Sequence, residues 1–204
     1  MRLRAVFLVG FMACGKTTTG AALAQRLGWD FVDLDALIEA RERRTVSEIF
    51  DERGETGFRL AETNALRELT KTLERDAHGR PTVVALGGGT FAQATNRALL
   101  RGWPSVFLEA PLDELWQRTQ EHPVKRPLRK DRAEFSKLYE ARLPFYRQSS
   151  VTVVTSGNDQ GSLCAEIERR LLFWGKIDGV DGKRADARDL SDDHTDPSET
   201  GELQ

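Results

Sequence analysis

Only two of the 204 residues are cysteines, Cys14 and Cys164, and so few thiols exclude the disulfide-stapled framework of a small secreted domain. A reducing, cytoplasmic compartment is expected instead. Long hydrophobic runs are missing too: a spanning helix needs ~20 apolar residues, and no stretch approaches that. The opening MRLRAVFLVGF imitates a secretory signal, but glycine and lysine end its apolar run after about seven residues. It reads better as a buried first strand. Nor is one sign of charge in large excess. A formal net charge of -2 supplies no global basic field for nucleic acid, so any anion site must be local. No internal repeat is visible, and neither a nucleic-acid nor a membrane partner is expected; the chain reads as a monomer.

What is present is an ordinary globular composition, 39% hydrophobic and 30% charged, at the length of one domain. Short apolar runs at Ala5 to Val9, Asp30 to Val32, Thr82 to Leu86, Ser105 to Leu108 and Val151 to Val154 read as strands. Helical spacing fills the stretches between them: Thr18 to Leu27, Val46 to Leu73 with a break near Gly54 to Gly57, Ala92 to Leu100, Leu112 to Glu121, Arg132 to Arg147 and Gly161 to Phe173. This alternation predicts an α/β domain over residues 1–175, a parallel sheet with helices on both faces. Residues 176–204 hold nine acidic and four basic residues, read as a disordered tail, which leaves the preceding chain at +3.

The segment Gly10 to Thr17, GFMACGKT, matches G-x-x-x-x-G-K-[ST] between a predicted strand and a predicted helix. Its backbone N–H groups and the helix N-terminus suit a phosphate chain, Lys16 can reach the β and γ phosphates, and the Thr17 hydroxyl can hold Mg²⁺. Ala13, Cys14, Gly15, Lys16, Thr17 and Thr18 are the ATP-binding candidates of this loop. Cys14 reads as a small filler residue, placed where oxidation or alkylation would block the nucleotide.

A phosphate loop does not identify the acceptor. The absence of an N-K-x-D base-reading motif argues against a GTPase. Other stretches carry further chemistry. FVDLD ends an apolar run in Asp33 and Asp35, which share a strand face if the strand lasts that far. Arg59 and Glu62 have i, i+3 helical spacing. The run LGGGT puts Gly87, Gly88 and Gly89 at the carboxyl end of a strand, where ligands of open α/β sheets bind and where side chains would obstruct a close approach. Arg126 precedes Pro127 in a polar stretch, and Arg142 follows on the next helix. Arg59 and Arg142 are either solvated surface charges or a bidentate clamp on a carboxylate.

Taken in order, GFMACGKTT, FVDLD, the EIF...GE..FR..E block, LGGGT, RPL and R.PFY resemble the shikimate kinases, small P-loop proteins of the nucleoside-monophosphate-kinase-like group. The resemblance runs from Val6 to about Leu172. It implies a five-stranded parallel sheet of order 2-3-1-4-5, a substrate-binding subdomain near residues 34–63 and a lid near residues 120–133. It also implies transfer of phosphate from ATP, with Mg²⁺, to the 3-hydroxyl of shikimate, on the route to chorismate and the aromatic amino acids. By that resemblance Lys16, Asp35 and Arg126 are catalytic: Lys16 and Arg126 on the phosphates, Asp35 on the acceptor hydroxyl. Asp33 lies near the metal through water beside Thr17. Asp35, Arg59, Gly87, Gly88, Gly89 and Arg142 bind the substrate, and Arg118 lies on the adenine side.

The chain departs from the family pattern at Arg43, where glycine is common, and at Gly157 and Asn158, where an arginine or proline against adenine is usual. The lid segment is unusually charged, and its His122 reads as a solvated loop residue. Another small-molecule kinase of the same fold, for gluconate or a nucleotide, is the alternative; a catalytically silent nucleotide-binding module is a second.

Overall fold

In the computed structural model the described residues are 3–76, 78–121 and 131–177. Five strands form, β1 (Ala5–Val9), β2 (Asp30–Asp33), β3 (Thr82–Ala85), β4 (Ser105–Glu109) and β5 (Val151–Val154). All pair in parallel, in the order β2-β3-β1-β4-β5. Every residue of β1 and β3 is buried. Because successive strand side chains point to opposite faces, complete burial requires cover on both sides of the sheet.

Seven helices supply that cover among the described residues: α1 (Lys16–Leu27), α2 (Leu34–Glu42), α3 (Val46–Arg75), α4 (Ala94–Leu99), α5 (Leu112–Glu121), α6 (Arg132–Tyr146) and α7 (Gln160–Ile177). Helix α1 packs on β2, β3 and α7, while α6 packs on α5 and on the 3₁₀ turn Thr90–Ala92. Phe7, Leu8, Phe107, Leu108, Phe11, Phe135 and Tyr146 are fully buried and form the centre of the core. Edge-to-face contacts of Phe11 with Phe135 and Tyr139, at centroid distances of 4.9 and 5.4 Å, join the loop after β1 to α6.

The predicted fold class and strand order are the observed ones, and the break in α3 falls at Gly54, whose φ of 67° and ψ of -176° are non-helical. Several other limits shift by one or two residues, and three differences are larger or bear on the site. The strand through FVDLD stops at Asp33, and α2, a helix that hydrophobic periodicity does not announce, starts at Leu34. The helix expected from Ala92 begins only at Ala94, after the 3₁₀ turn. Helix α7 continues to Ile177, two residues into the segment read as tail. The remainder of that tail, and the lid residues His122, Arg126 and Pro127, lie outside the described residues.

Helix α2 ends at Arg43, an exposed residue in the left-handed region with φ 53° and ψ 37°. That conformation costs a residue with a Cβ roughly 1–2 kcal/mol, and glycine almost nothing. Arg43→Gly is therefore expected to stabilise the fold by about 1 kcal/mol, a rise in thermal midpoint of roughly 2–4 °C at this chain length. A lower midpoint in calorimetry would show that the Arg43 side chain makes a stabilising contact that outweighs the strain.

Candidate active site

All five strands run the same way, so the loops at their carboxyl ends gather at one edge of the sheet. A cleft of about 590 Å³ opens there, lined among others by Lys16, Thr17, Asp33, Asp35, Gly88 and Arg118. Its location is the crevice where an open α/β sheet binds ligands.

The loop after β1 turns at Gly10 (φ 150°), Ala13 (φ 62°) and Gly15 (φ 91°). At Gly10 a Cβ would lie 2.7 Å from Cys14 Sγ and 2.9 Å from the Leu108 carbonyl oxygen, so only glycine fits. Ala13 holds a left-handed conformation without being glycine, a strain of the kind stored at ligand-binding loops. Helix α1 starts with no side-chain cap and no acidic residue in its first turn. Its first N–H groups and positive dipole end are thus directed at the cleft. Lys16 Nζ donates to the Phe11 carbonyl at 2.8 Å. Cys14 is 1% exposed and packed in the core, as a filler residue would be.

Asp33 is held from two sides. Its Oδ1 accepts from the N–H groups of Asp35 (3.0 Å) and Ala36 (3.3 Å), capping α2, and its Oδ2 accepts the Thr17 hydroxyl at 2.7 Å. This corrects the reading of FVDLD as two acids on one strand face: Asp33 ends the strand, and Asp35 sits in the first turn of the helix that Asp33 caps. Both carboxylates still line the same cleft, because the chain turns between them. The Thr17–Asp33 pair, one hydroxyl and one carboxylate beside the phosphate loop, is an oxygen-only donor set that fits Mg²⁺, a cation that keeps most of its waters.

The turn after β3 is the third component. A Cβ on Gly87 would meet Asp35 Oδ1 at 2.6 Å, Thr90 Oγ1 at 3.0 Å and Glu62 Oε1 at 3.1 Å; one on Gly89 would meet the Arg59 guanidinium at 2.5 Å. Bare backbone at these two positions lets the side chains converge. Arg59 NH1 pairs with Glu62, which is 0% exposed, at 3.1 Å, and its NH2 pairs with Glu55 at 3.2 Å. Arg142 NH1 donates to the Gly88 carbonyl at 3.3 Å, and the buried Tyr146 hydroxyl donates to the same oxygen. Burial pushes the Tyr146 phenol well above its ordinary pKa, so it remains a donor at any physiological pH. Arg59 and Arg142 therefore approach consecutive glycines, and neither is a freely solvated surface charge.

At the far end of the cleft, Arg118 pairs with Glu114 at 3.0 Å, and the Ser156 hydroxyl donates to the other Glu114 oxygen. Asn158, in the segment after β5, also lines the cleft. Arg126 falls outside the described residues. Sequence reasoning did not single out Glu114, Thr90 or Tyr146 as site residues. The i, i+4 spacing of Glu114 and Arg118 was a usable signal; Thr90 and Tyr146 lie in the LGGGT and R.PFY motifs, but their contacts span 28 and 58 residues and no local spacing announces them.

A protein-family model for shikimate kinase matches residues 12–172. A shikimate kinase from Ralstonia nicotianae is 42% identical over 184 residues, covering 88% of this chain and 91% of the relative. Among solved structures, shikimate kinase from Acinetobacter baumannii in complex with shikimate has a TM-score of 0.73 at 34% identity, over 86% of this chain and 96% of that one. A gluconokinase from Sinorhizobium meliloti shares the fold, with a TM-score of 0.56 at 17% identity over 86% of this chain and 97% of that one.

Gly10→Ala tests the packing of the phosphate loop. One collision is with backbone, which cannot rotate away, so the variant is expected to lose roughly 1–3 kcal/mol in urea unfolding. It should also lose nucleotide affinity by equilibrium titration. Native stability in Gly10→Ala would mean that the loop tolerates a wider path.

Proposed function

This chain belongs to the shikimate kinase family, and on that premise we propose how its residues divide the work of ATP-dependent phosphorylation of shikimate. The observation that carries the proposal is that one cleft joins Lys16 and Thr17 to Asp35 and Gly88. A phosphate donor on the loop and an acceptor beside the glycine turn would thus face each other across the cleft. Catalysis of phosphoryl transfer consists mainly of positioning and charge stabilisation, and the side chains are assigned on that basis.

Ala13 to Thr18 and the N-terminus of α1 hold the phosphates, with Lys16 neutralising charge on the β and γ oxygens. Thr17, with Asp33 through water, would hold Mg²⁺, which when bound supplies charge neutralisation at the phosphates. Asp35 orients the 3-hydroxyl of the acceptor and takes its proton. Arg59 and Arg142, with the backbone at Gly87, Gly88 and Gly89, hold the substrate carboxylate; guanidinium forks match that geometry. Arg118 serves the adenine side. Arg126, in the lid segment of residues 120–133, is assigned to the transferring phosphate, where a comparable arginine contributes ~10³-fold or more. Residues 34–63 are retained as the substrate-binding subdomain.

Both cysteines are free and buried, in keeping with a reducing cytoplasm, and a monomer is the proposed state. Among the described residues no helix is long and apolar enough to cross a membrane. The gluconokinase likeness extends only to the fold.

A coupled ADP-release assay tests the assignment. Turnover with shikimate is expected to fall ~10²-fold or more in Asp35→Asn, in the range for loss of a general base, and to vanish in Lys16→Met. Asp33→Asn should mainly raise the Mg²⁺ concentration required. Equal defects in the two aspartate variants would refute this division of labour. Turnover on gluconate with none on shikimate would overturn the substrate assignment.

A further inference from the structure

We propose that Thr90 is a positioning residue for the acceptor substrate: its hydroxyl locks the Glu62 carboxylate, which aims the Arg59 guanidinium across Gly89. The inference rests on the reading of Arg59 as a ligand of the substrate carboxylate.

Glu62 is a carboxylate with no solvent exposure, so its lone pairs must be satisfied by protein donors. Arg59 NH1 straddles both oxygens, at 3.2 Å from Oε1 and 3.1 Å from Oε2. Thr90 Oγ1 donates to Oε1 at 2.6 Å, the short distance of a charge-assisted bond. The donor is itself immobile. Thr90 is 0% exposed, its N–H donates to the Gly87 carbonyl at 3.1 Å, and its own carbonyl accepts from the buried Asn96 Nδ2 at 3.1 Å. One hydroxyl therefore ties the glycine turn after β3 to the helix that carries Arg59.

The other edge of the Arg59 fork cannot do this holding. Its Nε and NH2 reach Glu55 Oε1 at 3.4 and 3.2 Å, but the Glu55 side chain is 60% exposed. A pair so open to water is weak and exchangeable, and that edge is the one left for an incoming carboxylate. The rigid reference for the guanidinium is on the NH1 side, at Glu62, and Glu62 is fixed by Thr90. A second constraint points the same way. Thr90 Oγ1, Glu62 Oε1 and Asp35 Oδ1 all lie within 3.1 Å of the place a Gly87 Cβ would occupy, so Glu62 is also confined by the crowding around the glycine turn.

The test is steady-state kinetics on Thr90→Val, which keeps the shape and removes the donor, beside Thr90→Ser, which keeps the donor. Loss of a hydrogen bond to a buried charge should raise the KM for shikimate about ten-fold in Thr90→Val, with the KM for ATP within about two-fold of native. Thr90→Ser should restore the shikimate KM to within about two-fold. With shikimate methyl ester, which has no anionic carboxylate for Arg59, Thr90→Val should differ from native by less than about two-fold. An unchanged shikimate KM in Thr90→Val, a Thr90→Ser variant as impaired as Thr90→Val, or an equal penalty on the ester would each overturn the inference. Should Thr90→Val not fold, Thr90→Cys, of similar size and a weak donor, is read by the same criteria. Arg59→Gln separates the two levels of the argument. If it leaves the shikimate KM unchanged, the assignment of Arg59 itself fails; if it raises that KM while Thr90→Val does not, only the role of Thr90 fails.

Discussion

The Asp33 carboxylate is the constraint around which the cleft is arranged. One oxygen accepts two backbone N–H groups and starts α2; the other accepts the Thr17 hydroxyl at the start of α1. A capping carboxylate contributes about 1 kcal/mol to a helix, which is modest. Its geometric consequence is larger. By ending β2 and beginning a helix within one residue, Asp33 turns the chain so that Asp35 enters the cleft from a helix while Asp33 stays bonded to Thr17 at the phosphate-loop motif.

A second convergence occurs at the glycine turn after β3. Asp35, Glu62 and Thr90 crowd the position of a Gly87 side chain, and Arg59 crowds that of Gly89. Three side chains able to bear charge are thus brought against bare backbone in a partly buried volume, where each needs a partner. Glu62 has Arg59 and Thr90, and the Gly88 carbonyl has Arg142 and Tyr146. Such a network is rigid because any member left without its partner inside the fold costs more than the bond itself contributes. Rigidity at the glycine turn complements the strained phosphate loop, where Ala13 adopts a left-handed conformation.

Much of this was legible in the residues. β1, β5 and α5 have the limits read from the apolar spacing, since buried strands leave short continuous apolar runs and amphipathic helices a period of 3.6, both of which survive in one dimension. The phosphate loop was legible because its function needs glycine, lysine and a hydroxyl at fixed spacing along one continuous segment. Helix α2 was not, because its signal is a capping aspartate that also reads as a strand residue. Glu62 was visible as a neighbour of Arg59 but not as a buried group, and nothing local marks Thr90 as its partner 28 residues away.

The sequence by itself determined the layered architecture, through apolar runs and helical spacing, the strand order, through family resemblance, and the phosphate-loop motif, which lies in one contiguous segment. Only the tertiary structure decided how Asp33 and Asp35 divide between a strand end and a helix start, and which arginines are held in place and by what. Those outcomes depend on side chains brought together from separate strands and helices. Such contacts are fixed by packing density and by the need to satisfy every buried polar atom, conditions that exist only once the chain has folded.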